Sequence, residues 1–180
     1  MPGSVIVSAA RTPIGKLSGA LAGFSGADLG GIAIRAALQR AGIDAEQVDY
    51  VLMGQVLQAG AGQITARQAA NKAGVPMTVP AMTVNKVCLS GINAIYLADQ
   101  MVQSGDAEVV IAGGMESMTQ APYILPKARE GYRMGNGELV DSMINDGLWC
   151  AFDAVHMGTG TERYVGQVGG ITREMQDELA

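Results

Sequence analysis

The residue best suited to chemistry is Cys88, which lies within the stretch Asn85–Gly91. An apolar run precedes this stretch and a helical pattern of apolar residues follows it, so the cysteine is predicted at a strand-to-helix turn. A helix start presents unpaired N–H groups and the positive end of the helix dipole, and both favour the nucleophilic thiolate. Such turns lie at the carboxyl edge of a parallel sheet, where ligands bind. The competing interpretation is a buried cysteine that only fills space.

The lone histidine of the chain, His156, is open to three interpretations. A structural role is the first, and a pocket-lining role beside Met157 in a Gly-rich stretch is the second. The third is a Cys–His pair with Cys88, as in cysteine hydrolases, which requires that the two side chains meet in the fold. Cys150, next to Trp149, is interpreted as a packed thiol.

Three other features are given structural roles or none. The stretch Gly60–Gly62 supplies two glycines of a dinucleotide fingerprint, but the third is missing, so a turn is predicted. Glu116 follows a predicted strand and either caps the next backbone turn or lies near the site, and the structural role is favoured. No metal site is predicted, because no spacing typical of a metal loop is found among Asp141, Asp146 and Asp153.

The elements that must position these residues alternate between strands and helices. Strands are predicted at residues 5–9, 48–53, 81–84 and 109–112, and helices at about 26–41, 64–73 and 89–103. The order βαβαβαβ implies an α/β fold, in which a largely parallel sheet is covered by helices on both faces.

The first helix carries both a start signal and a stop signal. Ser25 is predicted as its N-cap, in a capping box with Asp28, and Gly42 is predicted to end it. The helix is apolar on several faces, which predicts burial between layers. Its helical spacing is carried by Leu29, Ile32, Ala33, Ala36 and Ala37.

The character of the sequence changes after Gly114, where clear strand patterns end. A short helix is predicted at Ser142–Leu148, and a last helix is predicted to open at Thr172. We place a domain boundary here: residues 1–118 form the α/β domain, and residues 119–180 form part of a strand-poor loop, or cap, domain.

Composition narrows the classes of function. The chain has 180 residues, 48% of them hydrophobic, which supports one good core. Its net charge is −5 and its 12 Lys and Arg residues are scattered, so no nucleic-acid partner is expected. Since neither a membrane-spanning run nor a secretory leader is found, we expect no membrane partner and a cytoplasmic location. Two cysteines suggest neither a disulfide framework nor a zinc motif.

Four motifs, taken together and in order, resemble those of the thiolase family. The nucleophile motif is Asn85–Gly91, and the others are Ala9–Gly15, Met53–Gly60 and Gly113–Met118. The resemblance runs from about Val5 to the end of the sequence. It implies the first half of the two-half thiolase fold together with part of its loop domain, without the last strand of the N-terminal sheet.

The resemblance also implies a reaction and a set of site residues. In this family a cysteine takes an acetyl group from acetyl-CoA, and a second acetyl-CoA attacks the thioester to give acetoacetyl-CoA. By resemblance Cys88 is the acylated nucleophile, and its backbone N–H helps to form an oxyanion hole. Leu148, His156 and Met157 match positions that line the pantetheine and acyl pocket. The coenzyme A thioester is the substrate, so no cofactor is implied.

Assembly and acyl preference follow from two further likenesses. The segment Tyr123–Val140 resembles the excursion that mediates tetramer contacts, which implies a homo-oligomer. The triplet His156–Gly158 resembles the short-chain, acetoacetyl-CoA type of thiolase. The family usually has Asn after the Glu at position 162, whereas this sequence has Arg163. This departure concerns the local geometry of the pocket.

The largest departure concerns the proton-transfer groups. The family's Gly-His-Pro histidine and Cys-x-Gly cysteine are not among these residues. The sequence is therefore expected to be the N-terminal part of a short-chain thiolase whose remainder is truncated, cleaved or separately encoded. Alone it is expected to be a poor condensation catalyst with exposed apolar surface and low solubility. The alternatives are a non-catalytic CoA-binding or assembly module, and a hydrolase that uses Cys88 and His156.

Overall fold

The computed structural model describes residues 3–180 and has a parallel three-stranded sheet at its centre. Strand β1 spans Tyr50–Gly54, β2 spans Ala81–Val84 and β3 spans Val110–Gly114. The strand order is β2-β1-β3, with β1 paired in parallel to both neighbours. The α/β class is confirmed, and these three strands lie within two residues of their predicted starts and ends.

Three helices connect and cover the strands on both faces. Helix α1 spans Gly26–Ala41, α2 spans Thr65–Ala73 and α3 spans Ser90–Ser104. Successive side chains of a strand point to opposite faces of its sheet. Accordingly Val51 packs in the core formed with α1 and α2, while its neighbour Leu52 packs against α3. Because both side chains are completely buried, β1 is the centre of the fold.

The ends of α1 follow the prediction, but its buried face does not. Ser25 and Asp28 form the capping box, and Gly42 ends the helix in the left-handed conformation. The prediction of burial between layers is wrong, because Ile32 is 45% exposed. The buried face instead includes Gly30, where a side-chain carbon would lie 2.6 Å from the sulfur of Met115. Small residues thus let α1 approach its neighbours on one side only.

The predicted first strand, Val5–Ala9, is not formed, and its apolar side chains are exposed. Val5 and Ile6 are both 80% exposed. Two side-chain hydrogen bonds hold the segment instead: Ser4 Oγ donates to Asp99 on α3 at 2.5 Å, and Arg40 on α1 donates to the Ala9 carbonyl at 2.7 Å. An apolar pattern indicates strand propensity, but a strand also needs a partner for its backbone groups, and none of the strands within 3–180 pairs with this segment.

The remainder, beyond β3, is poor in strands but not free of them. Strands β4 (Tyr123–Ile124) and β5 (Val140–Asp141) pair antiparallel. Strands β6 (Trp149–Cys150) and β7 (Val155–His156) form a second small hairpin. The predicted short helix is a π-helical turn at Met143–Leu148. Two helices follow, α4 at Met157–Val168 and α5 at Arg173–Leu179, the latter capped by Thr172 as predicted.

None of the helices within residues 3–180 has the length and apolar character that crossing a bilayer requires.

Candidate functional site

Cys88 lies on the tight turn that links β2 to α3, as the sequence predicted. The backbone N–H of Leu89 donates to the Lys86 carbonyl at 3.2 Å, and that of Ser90 donates to the Val87 carbonyl at 3.0 Å. Val87 has φ of +50°, in the left-handed region that β-branched residues rarely adopt. The turn therefore presents the Cys88 side chain to solvent from a strained backbone.

Two polar side chains hold this backbone. Ser90 Oγ donates to the Val87 carbonyl at 2.6 Å and accepts from the Lys86 N–H at 2.8 Å. Asn85 Oδ1 accepts from the Val87 N–H at 3.0 Å, while its Nδ2 donates to the Val56 carbonyl at 3.3 Å. Both residues lie in the nucleophile motif, but neither was predicted to have a role. The available signal was that Ser and Asn side chains next to a turn commonly bond to its backbone.

Three glycines set the start of α3 directly on the sheet. A side-chain carbon at Gly54 would lie 2.5 Å from the carbonyl carbon of Ser90 and 2.6 Å from the nitrogen of Gly91. One at Gly114 would lie 3.4 Å from the Gly91 α-carbon. The Gly54 contact joins backbone to backbone at a distance that no side-chain carbon tolerates, so the end of β1 fixes the height of the Cys88 turn above the sheet, and the end of β3 packs beside it at ordinary van der Waals distance.

Glu116 has a structural role, as favoured from the sequence, but it anchors the loop that follows β1 and not the next turn along the chain. Its carboxylate accepts from the Val56 N–H at 2.8 Å and from the Leu57 N–H at 3.3 Å. Burial raises the pKa of the Glu116 carboxyl above its ordinary value, although these hydrogen bonds act in the opposite direction. The Val56 carbonyl is the group that accepts from Asn85. The loops after β1, β2 and β3 are therefore joined at this edge of the sheet.

The backbone N–H of Cys88 makes no hydrogen bond to any residue from 3 to 180. It lies next to the thiol, so it is available to a negative charge that develops on an oxygen there. Lys86 is the nearest cation along the chain; its ammonium donates to Asn93 Oδ1 at 3.3 Å and forms no ion pair with a carboxylate among residues 3–180.

The three predicted pocket residues lie side by side in the loop region. Leu148 ends the π-helical turn, His156 closes β7, and Met157 begins α4. All three are exposed. The His156 ring meets the Trp149 ring edge to face, with centroids 5.0 Å apart, across the β6–β7 pair. The hairpin thus brings together residues that are separated along the chain.

An indirect contact joins this group to the Cys88 turn. A side-chain carbon at Gly147 would lie 3.3 Å from the Leu57 methyl, so the π-helical turn packs on the loop after β1. That same loop accepts the hydrogen bond from Asn85. In the described part of the chain Cys88 and His156 share no hydrogen bond, and the His156 ring packs on Trp149 instead, so the Cys–His pair is not formed there. Cys150 is half-buried, and its sulfur lies 3.6 Å from the Asp153 carboxylate and accepts from the Asp153 N–H at 3.4 Å, so it is not a fully packed thiol.

An open cleft of about 260 Å³ lies beside the Glu116 loop. It is lined by Ser25, Gln55, Leu57, Gly60, Thr65 and Pro122, among others, and Cys88 is not part of its wall. Gly60 and Gly62 both have positive φ, which confirms the turn predicted there. No three or more His, Cys, Asp or Glu residues between 3 and 180 are grouped so as to hold a metal ion. Arg163 is exposed on α4.

Comparison with known proteins identifies a family over nearly the whole sequence. Residues 4–180 match the family described as thiolase, N-terminal domain. The chain is 57% identical over 176 residues to an acetyl-CoA acetyltransferase of Cupriavidus necator, covering 98% of this chain and 44% of the relative. It is 54% identical over 181 residues to one of Escherichia coli (strain K12), covering 100% of this chain and 46% of the relative. The chain thus spans less than half the length of the curated relatives it matches.

Proposed function

The chain belongs to the thiolase family, and from that premise we propose that it carries the acetyl-accepting cysteine of an acetyl-CoA acetyltransferase. The overall reaction is the reversible condensation of two acetyl-CoA to acetoacetyl-CoA and CoA. The observation that carries the proposal is Cys88 itself, exposed on a hydrogen-bonded strand-to-helix turn. High identity to relatives named acetyl-CoA acetyltransferase supports this choice of reaction.

The chemistry of the first step matches the groups around Cys88. The thiolate attacks the thioester carbonyl of acetyl-CoA, and the carbon–sulfur bond to CoA then breaks. CoA leaves as a thiolate that takes up a proton, and the acetyl group remains on Cys88. The free N–H of Cys88 supports stabilisation of the oxyanion formed in between.

The substrate pocket is proposed to include Leu148, His156 and Met157, which would contact the pantetheine and acyl groups of the thioester. Their exposure and their adjacency in the β6–β7 region support this assignment. The packing of the π-helical turn on the loop after β1 gives them a link to the nucleophile turn. CoA enters as substrate, and the proposal includes no further cofactor.

Condensation needs more than the groups described here. A base must deprotonate the nucleophile, and a second group must take the α-proton of the attacking acetyl-CoA. The resemblance assigns these tasks to a Gly-His-Pro histidine and a Cys-x-Gly cysteine, and the 180 residues contain neither motif. We therefore assign only acetyl transfer to and from Cys88 to this chain, with the remaining groups supplied by sequence outside it.

Assembly is the last part of the proposal. We assign residues 119–180 to the loop domain, and Tyr123–Val140 to contacts between copies of the complete protein in a tetramer. This segment connects the paired strands β4 and β5. It exposes large apolar side chains, among them Met134 at 97% and Leu139 at 62%. Such a segment suits an interface better than it suits open solvent.

The test is to incubate the chain with acetyl-CoA and to measure its intact mass. We expect a gain of one acetyl group, located on Cys88 by peptide mapping and removed by hydroxylamine. Cys88→Ala should abolish the adduct, whereas the matched variant Cys150→Ala should keep it. Acetylation mainly at Cys150 would overturn the proposal. Binding of CoA without any adduct would favour the non-catalytic module.

A further inference from the structure

We propose that Asn85 is a positioning residue for Cys88, which acts through the backbone of Val87 and is anchored through Val56 by the Glu116 carboxylate. The inference rests on the proposed function, because it assigns Asn85 a part in acetyl transfer to Cys88. Three features of the structure support it: the strain at Val87, the two hydrogen bonds of Asn85, and the anchor at Glu116.

The first feature is the strained residue immediately before the nucleophile. Val87 has φ of +50° and carries a β-branched side chain, a combination that backbone sterics disfavour. Such a conformation persists only where surrounding groups over-determine it. If Val87 relaxed to the ordinary extended or helical region, the peptide that joins it to Cys88 would rotate. The thiol and the free N–H of Cys88 would then move together.

The second feature is the pair of hydrogen bonds made by the Asn85 amide. Its oxygen accepts from the Val87 N–H at 3.0 Å, which holds the strained residue from its N-terminal side. Its nitrogen donates to the Val56 carbonyl at 3.3 Å, outside the turn. Ser90 also holds Val87, but its bonds go to Lys86 and Val87 and remain within the turn. Asn85 thus connects the Cys88 turn to the neighbouring loop after β1.

The third feature is the rigidity of the loop after β1. The Val56 carbonyl accepts from Asn85, while the Val56 N–H donates to Glu116 at 2.8 Å. The Leu57 N–H donates to the same carboxylate, and Leu57 is 8% exposed. The loop after β1 is therefore fixed by a group that follows β3. Through its two hydrogen bonds, Asn85 holds the turn after β2 in place against this fixed loop.

The consequence is a defined placement of the Cys88 sulfur relative to the pocket. The same loop that Asn85 contacts packs through Leu57 on Gly147, one residue before Leu148. The loop after β1 therefore contacts both the nucleophile turn and the segment that leads to the proposed pocket. Loss of the Asn85 amide is expected to leave α3 and the sheet in place but to remove the hydrogen bond that joins the Cys88 turn to this loop.

The experiment compares two rates in the full chain. One is acetylation of Cys88 by acetyl-CoA, and the other is its alkylation by iodoacetamide, with Cys150 as the reference thiol in the same molecule. The variants are Asn85→Ala, Asn85→Asp and the double variant Asn85→Ala with Val87→Gly. The matched control is Asn71→Ala, which removes an exposed amide from α2. Thermal unfolding of each variant monitors the fold.

We expect Asn85→Ala to lower acetylation by roughly tenfold, since an error of about 1 Å in placement costs up to about a hundredfold. It should also lower the ratio of Cys88 to Cys150 alkylation. Asn85→Asp keeps the acceptor for the Val87 N–H and loses the donor to Val56, so an intermediate rate is expected. Glycine adopts positive φ freely, so Val87→Gly should restore most of the rate in the Asn85→Ala background.

Two results would overturn the inference: rates for Asn85→Ala equal to those for Asn71→Ala, or no recovery with glycine at position 87. If Asn85→Ala does not fold, Asn85→Asp and its combination with Val87→Gly decide in its place. Failure of the proposed function looks different, because the unchanged chain would then not be acetylated at all. The alkylation ratio would still decide whether Asn85 positions Cys88.

Discussion

Gly54 lies directly beneath Ser90, so close that a side-chain carbon on residue 54 would stand 2.5 Å from the Ser90 carbonyl carbon. This contact joins the last residue of the central strand to the first residue of α3. It is a backbone contact, and no flexible side chain can move aside to relieve it. The position of the Cys88 turn therefore depends on the absence of a methyl group two elements away in sequence.

Gly54→Ala is expected to displace the start of α3 and to destabilise the protein. Overpacking of this kind costs about 1–3 kcal/mol. Urea unfolding measures the loss, and acetylation of Cys88 should slow as the turn moves. Gly23→Ala is the matched control, because a side-chain carbon there meets nothing within 4 Å. Equal stability of the two variants would contradict the close approach.

Asp28 should stabilise α1 in a way that is lost in acid. Hydrogen bonds from Lys72 and Ser25 lower the pKa of Asp28 from 3.8 to about 2. Asp28 thus binds fewer protons in the folded state than in the unfolded chain, so its contribution is present above pH 3.8 and is lost as the pH falls through about 2. Asp28→Asn should cost about 1 kcal/mol at pH 7, as loss of a helix cap does.

The measurement for Asp28 is the difference in unfolding free energy between Asp28→Asn and the unchanged chain from pH 7 to pH 2. This difference should shrink toward zero at the acid end. Asp177→Asn serves as the control, since Asp177 pairs with Arg173 on an exposed surface. Exposed pairs of this kind contribute about 0.2–1 kcal/mol. A difference in unfolding free energy that grows in acid would contradict the lowered pKa of Asp28.

Glu116 should show the opposite dependence on pH. Burial raises the pKa of its carboxyl above 4.5. Its stabilising contribution is therefore present below pH 4.5 and is lost as the pH rises through the raised value. Relative to Glu116→Gln, the unchanged chain should lose stability between pH 4 and pH 7. Urea unfolding of both proteins across that range checks the sign, and a gain would show that the hydrogen bonds from Val56 and Leu57 outweigh burial.

The exposed apolar stripe of α3 should control self-association of the chain. Ile92 is 66% exposed and Tyr96 is 59% exposed on neighbouring turns of α3, and the exposed Leu89 lies just before the helix. Tyr96→Lys is expected to raise the concentration at which light scattering begins. Tyr164→Lys is the matched control, because Tyr164 on α4 is 60% exposed but lies outside this stripe. Similar behaviour of both variants would place the association elsewhere.

Local signals in the sequence predicted the fold around the cysteine. The capping box of Ser25 and Asp28 depends on residues three apart, and the turn at Cys88 depends on two adjoining patterns, so neither needed distant information. The segment Val5–Ala9 was misassigned because a strand depends on a partner that the pattern does not contain. The buried face of α1 was missed because Gly30 packs through the absence of a side chain.

The site was less predictable than the fold for a related reason. The resemblance placed Leu148, His156 and Met157 in one pocket, and that assignment stays a prediction, although the structure does bring the three together. The role of Asn85 depends on the Val56 carbonyl, 29 positions earlier in the chain. The spacing of residues within the motif could not predict that contact.

The glycine contacts beneath α3 divide the work of the site in a way that matters for redesign. The height of the thiol above the sheet depends on the main chain at Gly54, where a side-chain carbon would collide with the backbone of α3. The hairpin that holds His156 instead contributes exposed side chains. If the proposed pocket is right, replacements at His156 and Met157 are expected to change acyl selectivity without moving the Cys88 sulfur.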